Sequence, residues 1–504
     1  MTTAKQGTPF LFDDVTGDIV GWKNANGTDF LLIEFSRPLY AQPIDIPSEL
    51  DWDTTNFPLT IRINKNIPAY GSVGITPEKL FDLKSTALSN PFATFYVSPT
   101  GNDANPGTEA SPVKSLGNAQ ALANATGQPC KIIASGGSAP ASAYPRTNNL
   151  RNNAGTPVVP SVDTAWVARG GRVTTGTFDN YSAPSLDGTF TNCYKLTSLG
   201  GCDRIVNRWE FDEFGDYMAL RNVATPTICN TTPDSWTLSG TDVYVNRADG
   251  QAVTNANTRA YRSAAATYIL STQVNIYFGG EDGESGWDLE GSNANAVVDF
   301  LIAAPAALPG CCVFSNTRLV QGGGVVNTTA RSISCNSFNG LIALFDCHGS
   351  AAQTDCYNVH NNNAAAKALF LTVNCTSSNT GRPGNQSCNA LTLHENCIGI
   401  DVCGNFQSAH GGTVRNINTS KCLLAGTYVK NDRGDAVLGG GGSYQPAAVV
   451  ANDTAQIWAD SVKIDMPAGT RAWATSSAPG AVIRRRNCYP VAQPDAGGGA
   501  FENY

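Results

Sequence analysis

Apolar residues along this chain come in short runs broken by Gly-, Asn- and Asp-bearing turns, a pattern that predicts strands rather than long helices. Near the start, Phe10-Leu-Phe-Asp13, Asp18-Ile-Val-Gly-Trp22 and Phe30-Leu-Leu-Ile-Glu-Phe35 are separated by Thr16-Gly17 and Asn26-Gly27. They predict a small β-rich head over residues 1–90, joined by tight turns. The pattern changes at Phe92. A strand (Phe92 to Val97) runs into a polar Gly/Asn/Pro loop as far as Pro112, and Leu116, Ala119 and Leu122 or Ala123 then recur at a helical period before Lys131-Ile-Ile-Ala134. Residues 91–265 therefore read as a cap and irregular early coils. They include a hairpin from Asp234 to Gly250 that turns at Ser239-Gly240.

The C-terminal half carries a recurrence. Cys312, Cys335, Cys356, Cys375, Cys397 and Cys422 are separated by 23, 21, 19, 22 and 25 residues. Such spacing predicts a solenoid over 266–475, because one repeat buries its apolar edge only by stacking on its neighbours; 476–504 reads as a tail. In Leu369-Phe-Leu-Thr-Val-Asn-Cys375 the apolar residues share the parity of the cysteine, which assigns that side to the interior. The residues before the cysteines, Ser334, Asp355, Asn374, Asn396 and Lys421, are polar and are expected to face solvent. The same logic predicts Cys335, Cys356, Cys375 and Cys397 in one interior column, about 4.8 Å apart, with free, buried sulfurs.

Composition narrows the function. Lys+Arg 33 against Asp+Glu 41 gives a net charge of −8, without the basic footprint of nucleic-acid binding, so no nucleic-acid partner is expected. Charged residues are only 15% of the 504, and Gly 50 signals many turns. No apolar stretch has the length of a membrane-spanning helix, and Met1 to Val15 shows no secretory-leader pattern. The expectation is a protein without membrane insertion, assembled in a cytoplasm. Fifteen cysteines cannot all pair within one chain, and the four histidines stand apart from any zinc-like spacing, so neither metal nor cofactor is expected.

The succession of strand, polar loop, short amphipathic helix and strand over residues 92–134 resembles the entry of right-handed parallel β-helix proteins of the pectate-lyase-like kind. The expected fold class is all-β: a right-handed parallel β-helix solenoid with a short capping helix and the small N-terminal head. Head and solenoid together resemble phage tailspikes and tail fibres. That resemblance implies a homotrimer in a virion, a head docked on tail or baseplate proteins, and a solenoid that binds, and in many members depolymerises, a bacterial surface polysaccharide. A non-catalytic structural fibre or adhesin is the second class with the same fold. Glycoside cleavage needs carboxylates; Glu395, Asp355 and His394 are the candidate catalytic residues, with Asp401 a further acid on the ladder. Glu395 alternates with Leu391, Leu393 and Cys397, which gives it an inward position. Trp287, within the acidic segment Glu281 to Glu290, is a candidate sugar platform, and Asn374 and Asn396 are candidate binding amides; Trp287 to Gly291 also fits a first regular coil.

Overall fold

The computed structural model describes residues 41–64, 70–136, 143–145, 158–181, 184–211, 215–262, 267–291, 296–320, 331–350, 356–378, 390–408, 413–431, 447–465, 472–475, 480–490 and 498–503, together with four short strands within 2–31. Those four, Thr2–Ala4, Phe10–Asp13, Ile19–Lys23 and Phe30–Leu31, form an antiparallel sheet. The rest of the chain is organised by three parallel sheets that it visits in turn. Sheet A has twelve strands, from Ala93–Val97 to Ala500–Asn503; sheet B has nine, from Arg172–Gly176 to Tyr489–Pro490; sheet C has eight, from Tyr268–Leu270 to Trp473–Thr475. Each strand pairs in parallel with its counterpart one coil earlier and one coil later, which is an all-β solenoid. The coils run on past residue 475, since Val482–Arg486 and Ala500–Asn503 extend sheet A.

Sequence explains the interior. One column of sheet A reads Ile276, Cys312, Ile342, Phe370, Gly399, Cys422, Ile457 and Ile483. Beside it, Trp166, Phe278 and Phe314 stack ring on ring, with centroids 5.9 and 5.5 Å apart and planes within 10°. These spacings exceed the strand separation only slightly, so parallel pairing itself brings the aromatic faces together. The helix Leu116–Thr126 is capped by Ser115, whose Oγ accepts from the Asn118 N–H, and ends at Gly127 in the left-handed region. Its Leu116, Ala119 and Ala123 join the interior core against the first strands.

The cysteine ladder is corrected. Consecutive sheet A strands begin at Gly310, Gly340, Ala368 and Ile398, 30, 28 and 30 residues apart, so a recurrence of 22 drifts around the coil. Cys335 lies in sheet C between Phe300 and Val359; Cys356 immediately precedes a sheet C strand; Cys375 lies in the corner from A to B; Cys397 lies in the corner from C to A. All four are buried and free, yet they occupy no common column. Ser334, expected in solvent, is buried as well.

The true repeat is a corner. Between sheets A and B the backbone turns left-handed at Asn316, Asp346, Asn374, Cys403, Gly426, Ser461 and Asn487. Asn and Asp tolerate that conformation best among residues with a Cβ. The next residue is buried in most coils, as at Cys347, Cys375, Thr427 and Val462.

Residues 41–92, grouped with the head by sequence, lie along the outer face of sheet A. Leu50, Trp52, Phe57, Ile61, Ile63, Leu80 and Phe81 form one core with Val313, Leu341, Ala343, Leu369, Leu371, Ile400, Leu423 and Trp458. Polar contacts fasten this strap. The Tyr277 hydroxyl donates to Glu78 (3.0 Å), Lys421 Nζ donates to the Glu49 carbonyl (2.6 Å), and the Asn374 amide accepts from Gly71 N–H (2.7 Å) while donating to Gly71 C=O (3.1 Å). A side chain at position 71 would meet Val402 Cγ1 at 2.4 Å, so only glycine allows the approach. Asn374→Ala loses a residue suited to φ +54° and both strap bonds. It should lower unfolding free energy by about 1–3 kcal/mol, read as a shift in denaturant midpoint; an unchanged midpoint would remove Asn374 from this role.

Candidate functional site

Residues between the sheet B strand Arg172–Gly176 and the sheet C strand Tyr268–Leu270 leave the solenoid and build antiparallel sheets of their own. One contains Phe178–Asp179, Thr258–Arg262, Cys202–Phe211 and Tyr217–Ala219. Ser235–Ser239 and Asp242–Asn246 of another pair around Gly240. This insertion contacts the outer face of sheet B, where alternate residues point away from the core. One outward column reads Asp288, Arg318, His348, Thr376 and Asn405; another includes Glu290, Val320, Ser350 and Ser378.

Asp216 of the insertion reaches into this face and is nearly buried. Its carboxylate accepts from Arg318 and contacts His348 Nε2 at 2.8 Å, while Arg318 also donates to the Gly215 carbonyl at 2.8 Å. His348 Nδ1 lies 2.5 Å from Thr376 Oγ1, so the imidazole links a carboxylate to a hydroxyl. Arg318 Nε stands 3.9 Å from Asp288, which is held at 2.8 Å by Arg172. Glu290 is fully engaged: Arg259 pairs with it and the Tyr261 hydroxyl donates to it at 2.9 Å. Burial opposes ionisation of Asp216, but His348 and Arg318 outweigh it and hold the carboxyl below its usual range. Burial, and then the Glu290 charge, push the Tyr261 phenol far up, so it stays a donor. Carboxylates and guanidiniums alternate here with their charges matched.

Next to the ion pairs is an aromatic rim, with the Arg259 guanidinium 5.8 Å from the Tyr217 ring. Pairing between Cys202–Phe211 and Tyr217–Ala219 matches Asn207 with Met218 and then Phe211 with Tyr217, so Arg208, Trp209 and Glu210 are looped out as a bulge. Trp209 and Phe211 are 57% and 55% exposed, unusual for rings this large. Tyr217 tilts against Phe211 at 5.2 Å, and the Arg247 guanidinium covers one face of Trp209 at 5.3 Å. The two rings thus present exposed apolar surface on this side of the insertion. Among the described residues no group of His, Cys, Asp and Glu is arranged to hold a metal ion.

The residues expected from sequence are placed elsewhere. Trp287 is corrected: it is fully buried inside the solenoid, edge-on to Trp166 and Phe278, with its indole N–H donated to the Gly279 carbonyl at 3.1 Å, and offers no sugar platform. Its neighbours Asp288 and Glu290 do belong to the site, because strand alternation turns them outward. Asn374 is occupied by the strap; Asn396 is a left-handed corner residue that accepts from the Thr419 hydroxyl at 3.0 Å. Asp401 is buried in the interior column of sheet A, where it accepts from Thr372. Asp355 lies outside the described residues, as do the side chains of His394 and Glu395. Backbone register places His394 in the column of Cys335, Val359 and Asn416, and Glu395 in that of His360 and Ile417. Sequence reasoning missed Asp216, Arg318, His348, Trp209 and Phe211; the alternation Trp-Asp-Leu-Glu at 287–290 was the signal for part of the floor.

No family model matches the chain, and no curated protein does. Among solved structures, one described as a glycoside hydrolase is 10% identical and covers 82% of this chain and 96% of its own, with a TM-score of 0.44. The tailspike gp49 from Pseudomonas phage LKA1 is 12% identical, with 76% and 77% covered and a TM-score of 0.26. The Gp54 tailspike of Acinetobacter baumannii bacteriophage AP22, in complex with capsular saccharide, is 9% identical, with 74% and 64% covered and a TM-score of 0.18. At these scores the likenesses carry neither activity nor ligand to this chain.

Because the folded state lowers the pKa of Asp216, its contribution to stability is present above the ordinary carboxylate range and is lost as pH falls through the folded value. The melting temperature of the wild type should therefore drop more steeply below about pH 4 than that of Asp216→Asn, which lacks the charge. At neutral pH the variant should be less stable by about 1–3 kcal/mol. Parallel pH profiles would show that the Asp216 charge does not hold the insertion on sheet B.

Proposed function

We propose that this chain is a polysaccharide-recognising virion protein, a phage tailspike or tail fibre built on a right-handed parallel β-helix, and that the aromatic rim of the insertion binds a bacterial surface glycan. The observation that carries the reading is the pair of exposed rings, Trp209 and Phe211. Sugar rings have apolar faces edged by hydroxyls, and exposed aromatic planes match those faces. The handedness follows the chirality rule for parallel crossovers, and residues 1–40 are the proposed attachment head. The assembled form is a homotrimer.

Binding is favoured over cleavage by one specific feature. Asp216 is held by Arg318 and His348, and Glu290 by Arg259 and Tyr261, so these two buried carboxylates already have strong partners. An acid/base pair for glycoside hydrolysis needs one carboxyl that carries a proton near neutrality, and Asp216 is shifted the other way. The proposed role is therefore recognition, with depolymerisation as the alternative outcome of the same experiment.

Screening the purified protein against an array of bacterial capsular and O-antigen polysaccharides should give a bound glycan. Trp209→Ala with Phe211→Ala should weaken it by roughly thirtyfold or more, the scale of losing central aromatic contacts, without lowering the melting temperature, because both rings are exposed. Release of reducing ends or of unsaturated products from the bound glycan would establish the depolymerase instead. Retained affinity in the double variant would move the site off this rim. Light scattering should return about three times the 53.0 kDa chain mass; a monomer mass for the folded protein would overturn the trimer.

A further inference from the structure

Resting on the glycan-binding reading above, we infer that the bulge at Arg208–Glu210 is an anion subsite, and that the glycan it takes carries a carboxylate-bearing sugar such as a uronic or nonulosonic acid.

Charge accounting around the rim points to Arg208. Arg172 pairs with Asp288, Arg318 with Asp216, Arg259 with Glu290, Arg247 with Asp249 and Arg262 with Asp179. Among the described residues Arg208 forms no ion pair. It spends Nη1 on the Asn255 carbonyl at 2.8 Å, its Nε is buried without a hydrogen-bond partner, and its guanidinium lies 5.6 Å from the centre of the Tyr217 ring. Glu210, in the same bulge, forms no ion pair with it among the described residues. A half-buried guanidinium without an ion pair gains most from an incoming anion at its exposed part.

Placement makes the anion a part of the same ligand that stacks on the rim. Tyr217 is the common neighbour: Arg208 packs toward one part of its ring and Phe211 toward another, while Trp209 follows Arg208 directly in the chain. A saccharide lying on Trp209 and Phe211 thus passes beside the Arg208 fork. The bulge explains how all three come to one edge, because looping out residues 208–210 frees them from the strand's in-and-out alternation. A planar carboxylate fits the fork in bidentate fashion, whereas a neutral sugar would leave it unmatched.

The test uses the intact protein and the polysaccharide captured on the array, before and after carbodiimide–borohydride reduction of its carboxyl groups to alcohols. Native glycan should bind at least tenfold more tightly than the reduced glycan, and its affinity should fall with rising salt. Arg208→Gln should lose roughly tenfold toward the native glycan and nothing toward the reduced one; Arg208→Lys should recover part of the loss. A thermal melt of each variant separates a fold defect from a ligand effect, and a variant that melts early is replaced by the native-versus-reduced comparison on wild type alone. A captured glycan that is neutral, or one whose affinity survives both reduction and Arg208→Gln, overturns the anion subsite and leaves the glycan-binding reading standing. Capture of no glycan at all overturns both.

Discussion

Parallel pairing of each strand with the coils before and after it is the constraint on which everything else in this molecule depends. A parallel ladder satisfies backbone donors and acceptors only when successive coils superpose, about 4.8 Å apart. Superposition converts the sequence into columns, and a column must be uniform in character. The ring stack of Trp166, Phe278 and Phe314 and the outward line of Asp288, Arg318, His348 and Thr376 are both consequences. Where a polar group falls in an interior column, as Asp401 does, the residue one coil away supplies its partner, here Thr372.

The same constraint leaves two problems, which the chain answers with segments outside the coils. Sheet A is apolar on both faces and would expose a long hydrophobic flank; the strap over 41–92 covers it, from Tyr277 to Trp458. Sheet B is polar on its outer face, and the insertion meets it through charge: the buried Asp216 takes two partners from successive strands, Arg318 and His348. Hydrophobic cover on one side and matched ions on the other give different sensitivities. Acid acts on the second, and loss of packing acts on the first. The aromatic rim lies next to the ion-paired side, on a bulge that ordinary strand alternation would not have produced.

Much of the solenoid was legible and its period was not. Short apolar runs with turn residues gave the strands, and the run from Phe92 to Ala134 gave the helix Leu116–Thr126 with its flanking strands. The cysteine spacing of about 22 misled because buried cysteines occur in sheet strands and at corners alike. The informative signal was the Asn/Asp-Cys dipeptide, at Asp346-Cys347, Asn374-Cys375 and Asn487-Cys488: a left-handed corner residue followed by a small, inward-facing one, 28 residues apart in the first two cases. At these positions and at Asn396-Cys397 the polar residue before the cysteine marked a bend, whereas Ser334-Cys335 and Lys421-Cys422 lie within strands.

By itself the sequence determined what local chemistry can determine: strand-forming runs, turn residues and an acidic balance. Tertiary structure alone decided which of these residues meet. Asp216 and His348 are 132 residues apart in the chain, and Gly71 and Asn374 are 303 apart. Nothing in either neighbourhood announces the other, because such contacts are fixed by how coils stack and which face a returning segment covers.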